Sequence, residues 1–219
     1  MDFLRKIALI LFIPFLAGFV SESYARDDFE GHISFVKKTQ YDTVHIHYFV
    51  KDNKVRINQY TDDGHLIKSI LADLEKDSII AIDPSRKMYK PLNQKTESNL
   101  NKNKNELKIQ KTKNHKIING VKCYQWRIKD RNSNSEVAYW VADEKFDFID
   151  ELVQLLKNKD RLCHYFSHFQ DKSGSIPFVA VERTLVRKEK QRVVLSQIKE
   201  KKIDDSYFNI PSSYSEVRY

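Results

Sequence analysis

Glycine and cysteine are scarce in this chain of 219 residues, with five of the first and two of the second. So little glycine leaves no room for the Gly-rich loop that cradles a phosphate or a dinucleotide. No nucleophile-elbow pattern occurs either, and no pair of carboxylates falls in an evident catalytic setting. The sequence therefore reads as non-enzymatic, with no cofactor implied. Long apolar runs are missing too. The longest, Ile7 to Val20, has 14 residues and contains Pro14, whereas a membrane-spanning helix wants about 20.

That run has a different meaning. Arg5 and Lys6 precede it, and Ser23-Tyr24-Ala25 follows with small residues at the positions a signal peptidase reads. This is the layout of a cleaved signal peptide over residues 1–25, and it implies a periplasmic or secreted protein. No cysteine follows the run, so the lipid-anchoring cleavage pattern is absent. Residues 26–219 then make one domain of ordinary size.

The net charge is +8, and removing Asp2, Arg5, Lys6 and Glu22 leaves it unchanged. The lysines read as spread along the chain, with no compact cluster. They serve as solvating residues, or they attract an anionic envelope surface. No nucleic-acid motif accompanies them, and export removes that partner. In an oxidising compartment Cys123 and Cys163 form either one disulfide or two buried free thiols. A disulfide closing that loop of about 40 residues contributes ~3–4 kcal/mol in the chain-entropy model.

Most of the remaining chain alternates apolar and polar residues. "FEGHISFVKK", "TVHIHYFVKD", "KVRINQY", "LIKSILADL", "DSIIAID" and "KMYKPL" read as strands. Asp52-Asn53, Asp63-Gly64 and Asp83-Pro84-Ser85 supply turn chemistry between them. Residues 93–106 are polar, rich in Lys and Asn, and read as a loop. Strands return from Leu107, with a turn at Asn119-Gly120. From Asp147 to Phe169 the spacing becomes helical, with Asp147 as the expected N-cap and a break near Asn158–Asp160. Two more strands follow. The pattern predicts a mainly β (α+β) fold: a strongly curved antiparallel sheet, or incomplete β-barrel, capped by one or two helices.

Several segments carry a family resemblance together: "FEGHISF", "IIAIDPSRKMYKPL", "IINGVKCYQWRIKD", "EVAYWVADEKF", "SIPFVAVE" and "IDDSYFNIPSSY". In this order they resemble a family of exported bacterial proteins described as a domain of unknown function. That family is similar to the lipoprotein-carrier group of LolA and LolB. The resemblance spans most of residues 26–214. It implies a half-barrel with helices over its mouth, and a C-terminal tail pinned across a sheet face by Tyr207, Phe208 and Ile210, with Pro211 ending strand pairing.

Such a fold places Phe29, Ile33, Phe35, Val44, Ile46, Tyr48, Val55, Ile57, Ile80 and Ile82 on an inner face. Phe148, Leu152 and Leu156 lie under the helix. These side chains either line an apolar cavity suited to a lipid or acylated protein, or interdigitate as a filled core. With a filled core the protein is instead an envelope interaction or stress-sensing module. Histidines offer a third reading. His45 and His47 share a strand face, and His164 and His168 share a helix face, spacings that chelate Zn or Cu. Against this, Val44, Ile46 and Tyr48 take the inner face and push His45, His47 and His32 to the wet side.

Overall fold

The computed structural model describes residues 29–92, 107–170 and 174–217. The expected signal peptide and the polar loop at 93–106 lie outside the described residues. Six strands come first: β1 (Gly31–Thr39), β2 (Thr43–Lys51), β3 (Lys54–Thr61), β4 (Leu66–Asp73), β5 (Ser78–Asp83) and β6 (Met88–Pro91). Three follow, β7 (Leu107–Ile118), β8 (Val121–Asp130) and β9 (Ser135–Lys145). Two helices come next, α1 (Phe148–Leu156) and α2 (Arg161–Ser167). The chain closes with β10 (Ser175–Arg183), β11 (Glu189–Glu200), a 3-10 turn at Asp205–Phe208, and β12 (Ser215–Glu216).

All the strands join one sheet in the order β12-β6-β5-β4-β3-β2-β1-β11-β10-β9-β8-β7. Every pairing is antiparallel except that of β12 with β6. The two end strands do not pair with each other, so the sheet stays open, a large curved half-barrel as expected. Turn chemistry acts where the sequence places it. Asn119 and Gly120 both take positive φ, 52° and 80°, the geometry of a tight hairpin turn. Bulges bend the strands where register shifts, between Ser34 and Phe35, Gln59 and Tyr60, and around Pro177. Pro177 has no N–H to give, so a register break is where a strand tolerates it.

The helices lie across the concave face. α1 buries Phe148, Ile149, Leu152, Val153, Leu155 and Leu156. Six such side chains at ~1.5–3 kcal/mol each make apolar contact the main force holding it. The break between helices falls where expected, but the capping differs. Asp147 has helical φ and ψ of −57° and −36°, and its side chain caps nothing. Asp160 is the true cap, extended and accepting from Cys163 N at 2.8 Å at the start of α2. Gly174 approaches the backbone of Phe146 so closely that a Cβ would sit 2.8 Å from its carbonyl oxygen, and its φ is +72°. Phe29, Phe146 and Phe148 stack near this junction, with centroids 5.1–6.1 Å apart.

On the convex face a smaller core forms from Phe49, Ile203 and Phe208, with Leu71 packed against it. This is the pinned tail. Phe208 carries it, whereas Tyr207 is exposed. Arg56 clips it down, donating from Nη1 to the carbonyls of Tyr207 at 2.8 Å and Asn209 at 3.3 Å. Pro211 does not end pairing for good, because Ser215 and Glu216 rejoin the sheet beside β6. The expected inner-face positions Ile80 and Ile82 belong to this outer side. Ile80 pairs with Leu71 and Ile82 with Ser69, while their neighbours Ile79 and Ala81 pair with Ala72 and Ile70 of the inner core. Paired residues share a face, so Ile80 lies beside Leu71 on the side the tail covers, and Ile82 points the same way, off the inner face.

Candidate functional site

Between the concave sheet and the two helices lies a partly open cavity of about 300 Å³. Of the expected lining, Phe35, Ile46, Tyr48, Ile57, Leu152 and Leu156 are there. Strands β1, β2 and β3 supply the first four through period-two alternation, and α1 supplies the last two. Phe29, Ile33, Val55 and Phe148 face the same way but are packed into the solid core beside the cavity. Val44 shares the face of Ile46 yet does not line the cavity. The alternative of a completely filled core therefore describes one part of the inner face, and a cavity the other.

Further walls come from Ile70, Tyr139, Ile149, Phe166, Ile176 and Ala180. Tyr139 donates from its hydroxyl to Leu162 O at 2.7 Å and packs its ring on Phe166 at 5.1 Å. Burial pushes the hydroxyls of Tyr48 and Tyr139 well above the usual phenol range. Both stay neutral and act as walls. Cys163 borders the cavity, where burial and then the Asp160 carboxylate push its thiol well up. Cys123 is buried beneath the sheet, its thiol pushed up to about 11 by burial. Both cysteines are free thiols in this structure, and burial favours their protonated form.

A buried polar cluster between α2 and strands β8–β11 was missed by sequence reasoning. Glu182 is 1% exposed. Its carboxylate accepts from Arg161 Nε at 2.7 Å, Ser135 Oγ at 2.8 Å and Gln191 Nε2 at 2.7 Å. Arg161 reaches on to Ser135 and to Tyr165, whose hydroxyl donates to Asp130 at 2.8 Å. Burial alone would raise the Glu182 carboxyl, but Gln191, Ser135 and Arg161 together hold it below the usual range. This cluster fastens α2 to the sheet. Alternation in "IPFVAVE" did carry the signal, since Glu182 falls on the face of Ile176, Phe178 and Ala180.

The two histidine pairs do not converge. His45 and His47 lie outside, with His45 bonded to Asp62 at 2.9 Å and His47 4.9 Å from the His32 ring. His164 and His168 sit on α2 with rings 5.0 Å apart. Among the described residues no group of three or more metal-ligating side chains forms. Burial, then His47 and two lysines, lowers His32 to about 4.

Charge is less evenly spread than the sequence suggested. Residues 107–130, the β7–β8 hairpin, carry six lysines and one arginine against a single acid, Asp130. That acid is buried and bonded to Tyr165. Lys111 and Lys116 lie over the Trp126 and Trp140 rings at 4.3 and 4.1 Å. The edge of the open sheet is thus strongly basic.

Residues 29–214 match the family model described as Domain of unknown function (DUF4412). The chain belongs to the DUF4412 family. No curated protein matches it. Among solved structures, this DUF4412 chain is similar to an uncharacterized conserved protein from Thermus thermophilus, at 6% identity and TM-score 0.51, over 86% of this chain and 89% of that one. A chain in a Pseudomonas aeruginosa MucA/MucB complex aligns at 8% identity and TM-score 0.47, over 83% of this chain and 56% of that one. A putative outer membrane lipoprotein-sorting protein domain from Vibrio parahaemolyticus aligns at 10% identity and TM-score 0.34, over 84% and 89%. The Thermus likeness shows a shared fold.

Proposed function

We propose that this protein is a non-catalytic carrier that binds an amphipathic ligand, a lipid or the acyl chain of an acylated protein, in the bacterial envelope. The observation that carries this reading is the apolar cavity left open between β1–β4 and α1. Each methylene buried there contributes ~0.8 kcal/mol. The two helices divide the work. α2 is fastened by the Glu182–Arg161 cluster, whereas α1 rests on apolar contact, with Asp150 accepting from Gly174 N at 2.8 Å at its start. α1 is therefore the element that shifts to admit a chain. The signal-peptide layout of residues 1–25 supports export. Among the described residues no helix is long and apolar enough to cross a membrane.

Native mass spectrometry of the gently purified protein tests this. Extra mass in the lipid range that disappears on denaturation is the expected result. A clean apo mass at saturating lipid overturns it. A second reading, docking of an envelope partner, is favoured by the basic open edge at β7. A photo-cross-linker at Lys113 that captures one defined protein, together with a clean apo mass, supports that reading instead.

A further inference from the structure

We propose that the cavity's occupant is an amphiphile with one hydrocarbon chain and an anionic head, held at the mouth by Lys37, Lys68 and Lys159. This deepens the carrier reading and rests on it. The three lysines come from separate elements, β1, β4 and the link between the helices, and converge on one cavity. None of their ammonium groups bonds or ion-pairs with another described residue. One acid, Asp160, shares the lining, and its Oδ1 is engaged by the Cys163 N–H at 2.8 Å. In the whole chain basic residues outnumber acidic ones only 38 to 30. At the mouth they stand three to one, with the one acid already engaged.

The simpler account is that the lysines keep an apolar opening soluble. Lysines and acids do that equally well, so solubility alone does not select one sign. Cations ringing an apolar slot fit a carboxylate or phosphate head whose tail enters the slot. The same cations repel a quaternary ammonium head. Size sets the number of chains. About 300 Å³ is the lower end of the ~300–1,000 Å³ range of small-molecule sites, which suits one chain and not two.

Four probes sharing a 14-carbon tail test this on the delipidated protein by calorimetry: the carboxylate, the phosphate, the alcohol and the trimethylammonium. The carboxylate and phosphate should each bind about tenfold more tightly than the alcohol, a difference of ~1.4 kcal/mol. That margin should shrink in high salt. It should also collapse to about twofold in the triple variant Lys37→Gln, Lys68→Gln, Lys159→Gln, read as the ratio of carboxylate to alcohol affinity within that variant. A two-chain phosphatidate should bind no better than the single-chain phosphate. Equal affinity for charged and neutral probes, or a preference that survives the triple variant, overturns the anionic head while leaving the carrier reading standing. Tighter binding of the two-chain lipid overturns the single chain. Failure of all the probes to bind overturns both.

Discussion

Glu182 and Arg161 form a partly buried ion pair, and removing one member strands the other. Glu182→Ala should destabilise the protein by about 2–3 kcal/mol, below the ~3–5 expected of a fully buried pair because Arg161 is one-third exposed. Urea unfolding measures this, and Glu182→Gln, which keeps hydrogen-bonding capacity, should cost less. His32 gives a pH dependence of opposite character to a salt-bridged histidine. Its folded value is near 4, below the ordinary 6.5, so the unfolded chain binds the extra proton between those values. Stability should therefore fall as pH drops from about 6.5 to about 4 and level off below. A His32→Gln variant should show a shallower slope by chemical denaturation over that window. Partial exposure of the ring keeps the effect modest.

At the scale of elements, strands and helix pair were legible because their periods are clean. Phe35, Ile46, Tyr48 and Ile57 could be assigned inward from alternation, and Leu152 and Leu156 from helical spacing. Ile80 and Ile82 could not. "IIAI" is apolar on both faces, and what breaks the tie is the register with β4, which sets Ile80 beside Leu71 and Ile82 beside Ser69 on the outer side. The split of the inner face into solid core and cavity was illegible for a related reason, since it depends on how α1 sits across strands far from it in sequence. α1 and the cavity can be tested together. Ala180→Leu adds bulk into the cavity, so it should lower lipid occupancy in the native mass spectrum with under ~1.5 kcal/mol change in stability. Gly174→Ala should do the reverse. Its positive φ and its contact with Phe146 make it destabilising by more than ~1 kcal/mol, read as a lower unfolding temperature.

At the scale of the molecule, the tail acts as a strap over the outside of the sheet. Phe208→Ala should release it at a cost of ~3 kcal/mol or more. Amide exchange in β6 should then speed up, because β12 is the strand that covers its outer edge. Exchange in β1 and β11, at the sheet's centre, should change least.

That centre has a consequence for how the molecule comes into being. Gly31 pairs with Glu200 across nearly the whole length of the domain, so the first long strand waits for the last one. The β1–β6 meander can form early from neighbours in the chain, yet the middle of the sheet stays unzipped until β11 is in place. Closure of so distant a pair is slow, in the millisecond-to-second range of non-local β topologies. During that interval every other strand can pair with its neighbour in the chain, and the one edge of β1 that faces β11 stays bare, a row of unsatisfied backbone groups open to pairing with another chain.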